Sequence, residues 1–157
     1  MTDLKLLALD EADLSIVSAH CQDAVVRGEE ITYLPGEKRF VLVMNRFAWE
    51  AEGQRKRFSF SLRREHERRR AVLHFDRVTS VRSRGVTPAD RQAVLVLLAM
   101  TFTPQDAPSG SIDLVFAGGS EIRLEVECIE AQLTDVGGAW STPSRPDHER
   151  DEPGLLP

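Results

Sequence analysis

The sequence predicts a mostly β domain of the α+β class, an antiparallel sheet curled into a barrel or half-barrel, with an N-terminal helix and a capping C-terminal helix. Three observations carry this expectation. From Ala24 onward the apolar residues recur with period two, in short β-branched or aromatic runs separated by turn signals. Helical spacing occurs only near the two ends. The chain has 157 residues, enough for one core and short for two, since domains most often run to about 100 to 150 residues.

Asp10-Glu11-Ala12-Asp13 reads as a helix start: Asp10 can accept from free backbone N–H groups, and the acids suit the positive end of the helix dipole. The helix is expected to run to about Cys21, with Leu14, Val17 and Cys21 on one buried stripe. Turn signals follow at Arg27-Gly28-Glu29 and Leu34-Pro35-Gly36-Glu37. Phe40 to Met44 is apolar at every position, so both strand faces are expected to be covered, whereas Phe58-Ser59-Phe60-Ser61-Leu62 alternates and has one wet face. Leu73-His74-Phe75 begins a longer strand whose phase shifts before Val78 and Val81, as a bulge requires. Ala93 to Phe102 is a strand candidate whose length and Leu and Ala content also fit a buried helix.

Ile112-Leu114-Phe116 and Ile122-Leu124-Val126 alternate on either side of Ala117-Gly118-Gly119-Ser120, which predicts a hairpin. Ile129, Leu133 and Val136 then recur at helical spacing before Gly137-Gly138, predicting a short helix that closes the domain over Trp140. This element order resembles that of pleckstrin-homology-like barrels, in which a C-terminal helix plugs one open end. The N-terminal helix departs from that pattern, and no lipid-binding motif of that fold is matched, so no ligand is carried over.

Residues 1–140 are expected to form the single globular domain and 141–157 a disordered, Pro-rich, acidic tail. Hydrophobic residues make up 41% and charged residues 29%, which excludes the composition of a disordered chain. The longest apolar run, Ala93 to Met100, is far short of the roughly 20 residues of a membrane helix. The N-terminus lacks a secretory apolar region, so the expected address is cytoplasmic. Cys21 and Cys128 both fall in regular segments and read as buried free thiols.

Charge is uneven. Residues 54–91 hold twelve basic and four acidic side chains, a net +8, so the rest of the chain carries −13 to give the overall −5. Within this middle, Arg63, Arg64, Arg68, Arg69 and Arg70 form the candidate partner-binding surface, because guanidinium forks suit bidentate contact with carboxylates. A solvated hairpin loop explains the same run. Nucleic acid is disfavoured, since Phe58 and Phe60 share the face expected in the core and leave no stacking platform. A second cluster, Asn45, Arg46 and Trp49, joined by Arg82 if the strands are neighbours, would line a ligand pocket at a barrel mouth. Such residues also mark where a strand leaves the core.

No metal is expected, because His20, His66, His74 and His148 and the cysteines form no tight ligand set. His20 and Cys21 are adjacent on a helix and diverge by about 100°, which disfavours a nucleophile and base pair. The glycines at 118 and 119 make a hairpin turn rather than a phosphate loop, and Glu125, Glu127 and Glu130 fit a wet strand face as well as an acid–base or cation site. No cofactor fingerprint or hydrolase, kinase or dinucleotide motif occurs.

Tyr33-Leu34-Pro35-Gly36-Glu37-Lys38-Arg39-Phe40, Met44-Asn45-Arg46-Phe47, His74-Phe75-Asp76-Arg77-Val78 and Glu125-Val126-Glu127-Cys128-Ile129-Glu130-Ala131-Gln132-Leu133 resemble a bacterial protein family of unknown function. The resemblance spans Leu4 to about Glu149. It implies a small cytoplasmic bacterial protein and brings no catalytic residue. The function expected is a non-enzymatic interaction or adaptor domain whose arginine-rich segment meets an acidic protein, with a homodimer as a further partner. The alternative is a small-ligand-binding barrel or modest enzyme around Asn45, Arg46 and Trp49.

Overall fold

Asp10 caps the first helix as its chemistry requires. Its carboxylate accepts from the Asp13 N–H at 2.8 Å, while the Asp13 carboxylate accepts from the Leu9 N–H at 3.0 Å, so two donors at the helix start are satisfied reciprocally. The structure, a computed structural model, describes residues 4–48, 68–87 and 90–139, the last three as backbone. Helix α1 runs Glu11–His20 and buries Leu14 and Val17, with Cys21 beneath its end. Asp10→Ala is expected to cost about 1 kcal/mol in urea unfolding, the usual worth of a helix cap.

Among the described residues ten strands follow the chain: β1 (Lys5–Ala8), β2 (Ala24–Arg27), β3 (Ile31–Leu34), β4 (Arg39–Phe47), β5 (Arg68–Phe75), β6 (Val78–Arg84), β7 (Val94–Asp106), β8 (Ser109–Phe116), β9 (Glu121–Val126) and β10 (Ala131–Ala139). All pairings are antiparallel, in the order β1-β10-β5-β4-β2-β7-β8-β9-β6, with β3 paired to β4 beside that path. The hairpin expected at residues 112–126 is β8–β9, and the strand candidate Ala93 to Phe102 is strand from Val94 onward, within β7.

Connectivity forces this sheet to curl. Phe75 and Val78 are three residues apart, at most about 11 Å of chain. The strands they belong to, β5 and β6, stand six places apart in the order, about 29 Å across a flat sheet. The same conflict recurs between Val126 and Ala131. Both are resolved at one corner, where Arg77 takes a left-handed φ of 66°, the Asp76 N–H donates to the Glu130 carbonyl at 2.8 Å, and the Glu127 N–H donates to the Arg77 carbonyl at 3.0 Å. The single bulged strand expected through residues 73–81 is therefore two strands meeting at a corner. The ladder is not closed, since β1 and β6 at its ends each have one partner among the described residues.

Inside the curl lies one apolar cluster that includes Phe40, Phe75, Phe116, Leu73 and Leu114, all buried, and α1 packs into it. The Met100 N–H donates to the Ser18 hydroxyl at 3.0 Å, fixing the helix to β7. On β4 the inward residues Phe40, Leu42, Met44 and Arg46 are buried while Val41, Val43 and Asn45 are half-buried, so the outer face is covered only in part.

The capping C-terminal helix expected from Ile129, Leu133 and Val136 is not formed by those residues. Residues 131–139 are β10, paired on both sides with β1 and β5. The physical reason is visible in its burial: Ala131, Leu133 and Asp135 point inward, so a charged residue occupies an inward position and hides the period of two, while Val136 is partly exposed. Strand β1 was also not anticipated. Cys128, expected buried, is half-buried. The strand expected at Phe58–Leu62, Trp140 and the tail 141–157 lie outside the described residues.

Candidate functional site

Strands β3 and β6 each have a partner on one edge only among the described residues, and they face one another across the mouth of the curled sheet. At one end the seam is stitched, because the Val78 N–H donates to the Lys38 carbonyl at 2.9 Å and the Tyr33 hydroxyl to the Val78 carbonyl at 3.4 Å. Beyond that stitch a cavity of about 280 Å³ opens between them, lined by Ile31, Tyr33, Phe40, Val81, Ser83 and Ile122 and rimmed by Gly28, Val86 and Thr87. Its size is near the lower end of small-ligand pockets. None of the lining residues is charged, and the polar groups are hydroxyls, of which Ser83 donates to the Val86 carbonyl at 3.2 Å. Such a site suits an apolar group and repels an isolated charge.

Gly28 shapes the far rim. Its N–H donates to the Ala93 carbonyl at 2.8 Å, and an added Cβ would stand 2.2 Å from the Asp90 carbonyl oxygen. Gly28→Ala must therefore displace the 90–93 loop, with an expected loss of about 1 to 3 kcal/mol in urea unfolding.

A second constellation is buried at the opposite end of β4 and β5. The Asp135 carboxylate accepts from Arg46 Nε at 2.9 Å, Arg46 Nη2 at 3.0 Å, Arg69 Nη1 at 3.4 Å and the Leu4 N–H at 2.9 Å. The Arg46 and Asp135 side chains are 0% exposed and that of Arg69 6%. Asp135 thus ties β1, β4, β5 and β10 together. Burial pushes the neighbouring Cys21 thiol up to about 12, the Arg46 guanidinium pulling it down and the Asp135 carboxylate adding to the rise. The thiol stays protonated, which removes it as a nucleophile.

Of the candidate residues, Asn45 and Arg70 come together, with Arg70 Nη1 donating to Asn45 Oδ1 at 3.1 Å and Nη2 pairing with Glu30. Arg46 and Arg69 meet at Asp135. Arg68 is exposed and stacks its guanidinium 4.5 Å from the Phe47 ring centroid. Arg68 to Arg70 therefore belong to a strand rather than a loop. Arg82 lies on β6, exposed and in register with Arg123, and is not brought to Asn45 or Arg46. Trp49, Arg63 and Arg64 lie outside the described residues. Asp135 and Tyr33 were missed; the inward phase of Asp135 between Leu133 and Gly137 was the available signal.

His74, half-buried on β5, has its pKa lowered chiefly by burial, with Asp76 at 3.5 Å raising it and Arg39 lowering it. The unfolded chain then binds a proton first, so stability is expected to fall as pH drops through about 6.5 and to level off below the folded value. Urea midpoints measured from about pH 8 to pH 5 should show this slope, and His74→Gln should flatten it. Glu125 accepts from the Ser111 hydroxyl, Glu127 pairs with Lys38 and Arg77, and Glu130 pairs with Arg77. Among the described residues no group of three or more His, Cys, Asp or Glu could hold a metal ion.

Compared with known proteins, residues 4–148 match the family model described as "Protein of unknown function (DUF2948)". No curated protein matches, and no solved structure matches.

Proposed function

The chain belongs to DUF2948, a family of proteins of unknown function, and on that premise we propose that it is a non-enzymatic protein-interaction domain whose recognition site is the seam between β3 and β6. The observation that carries this reading is the apolar cavity of about 280 Å³ set between two strand edges that each lack a second partner among the described residues. An extended segment of a partner can supply the missing main-chain hydrogen bonds, and a cavity beside the edge takes one of its side chains. Main-chain pairing gives affinity and the cavity gives selectivity.

The arginine-rich surface supports this less well. Arg69 is committed to the interior and Arg70 to Asn45 and Glu30, which leaves Arg68 as the exposed one of the three that are described. A pocket formed by Asn45 and Arg46 together is also disfavoured, because consecutive strand residues point to opposite faces. A small apolar molecule is the second reading of the seam, favoured by its uncharged lining. The cytoplasmic address is part of the proposal, since free Cys21 and Cys128 suit a reducing compartment.

The test is selection of displayed random linear peptides on the immobilised full chain, followed by retesting of the enriched peptides on Val81→Trp, whose ring fills the cavity. The expected result is enrichment of extended, β-forming sequences that bind the variant about tenfold or more weakly, the scale of one lost apolar anchor. A selection that enriches nothing, or peptides that bind a folded Val81→Trp unchanged, would overturn the proposal. Binding of small apolar compounds in the seam, lost in Val81→Trp, with no peptide enriched would favour the second reading.

A further inference from the structure

We infer that the segment taken up by the seam is acidic, with an Asp or Glu immediately beside the apolar residue that enters the cavity; this rests on the reading of the seam as a strand-binding site. On β6, Val81 and Ser83 line the cavity, so Arg82 between them projects to the outer face of the same edge strand. Arg82 stands in register with Arg123 of β9. Like charges directly opposite one another on a sheet are unfavourable.

Arg123 is balanced by a carboxylate of its own, whereas among the described residues Arg82 is not. Asp113 is engaged by Arg123 through both of its oxygens, at 2.8 and 3.3 Å, and Glu121 is engaged by Arg84 at 2.8 Å. Arg82 makes no ion pair among the described residues. An anionic group placed next to Arg82 would balance its exposed charge, and the free edge of β6 puts an added strand beside it.

The alternation of the added strand fixes the spacing. A residue entering the cavity opposite Val81 or Ser83 has its immediate neighbours on the outer face, where one of them lies opposite Arg82. The recognised pattern is therefore an apolar anchor directly flanked by acids. Flanking lysines would stand beside Arg82 and be disfavoured.

The probes are two blocked, fluorescein-labelled heptapeptides with a central isoleucine, one with glutamate and one with lysine on both sides of it. Each is titrated by anisotropy against the full chain, Arg82→Glu and Val81→Trp. The wild-type protein should prefer the glutamate peptide by about three- to fivefold, the scale of an exposed charge pair, and Arg82→Glu should reverse that preference. Reversal cannot come from misfolding, since an unfolded variant would bind neither peptide. Raising salt should shrink the wild-type preference.

A preference unchanged in Arg82→Glu overturns the inference, as does absence of binding by both peptides at about 1 mM, a concentration that corresponds to only about 4 kcal/mol of binding free energy. If Val81→Trp abolishes binding while the Arg82 exchange changes nothing, the seam stands and its acidic selectivity falls. If Val81→Trp leaves both affinities unchanged, the seam itself is not the site.

Discussion

Asp135→Ala is expected to lower the unfolding free energy by about 3 to 5 kcal/mol, the usual consequence of removing one partner from a buried ion pair. For a chain of this size that corresponds to a fall of roughly 6 to 20 °C in Tm. The reason is local. One carboxylate receives Arg46 through two nitrogens, Arg69 through a third, and the N–H of Leu4, the residue just before the outermost strand. Both guanidinium groups are then left in the interior without their carboxylate, at a desolvation cost. The triple replacement Asp135→Leu, Arg46→Met, Arg69→Leu should recover much of the loss, because apolar side chains of similar volume replace buried ion clusters well. A loss below about 1 kcal/mol in Asp135→Ala would mean that the cluster is far better hydrated than its burial indicates.

Phe40→Ala is expected to cost a further class of stability, about 3 kcal/mol and up to about 5, measured as the shift in urea-unfolding free energy. Phe40 is 1% exposed and its ring centroid lies 6.5 Å from those of both Tyr33 and Phe75. It separates the seam cavity from the core, so its removal joins the two. Because the enlarged space opens toward the cavity and water can enter, the lower end of that range is the expected value. Phe40→Leu keeps most of the volume and should cost less than about 1.5 kcal/mol.

How much of this was legible in the sequence follows from the range of the interactions. Helix α1 and the β8–β9 hairpin were readable because their signals are local: Asp10 and Asp13 cap within one turn, and Gly118 and Gly119 both take positive φ in the connection the alternation predicts. The end of the domain was misread because Ile129 and Leu133 are four apart, a spacing that fits period two as well as period 3.6, and because Asp135 broke the apolar alternation. What broke the pattern is the residue that holds four strands together.

The seam was not legible at all. It exists because β3 and β6, about fifty residues apart in the chain, are brought face to face by the corner at Asp76 and Arg77, and no local pattern reports that. Asn45 and Arg46 were grouped as one candidate pocket, yet the structure gives them different partners. Asn45 joins a half-buried network with Arg70, and Arg46 joins a buried one with Asp135. Charge counting likewise grouped Arg69 with its neighbours, when strand alternation turns it inward.

The most direct test of the account is the amide NMR spectrum of the ¹⁵N-labelled chain during titration with a library-selected peptide. Binding in the seam predicts that the largest shifts fall on Ile31, Tyr33, Val81, Ser83 and Val86, with slowed exchange of the edge amides on β3 and β6. Shifts gathered instead around Asn45, Arg68 and Arg70, with the seam amides unmoved, would contradict it and return recognition to the arginine-rich end of the sheet.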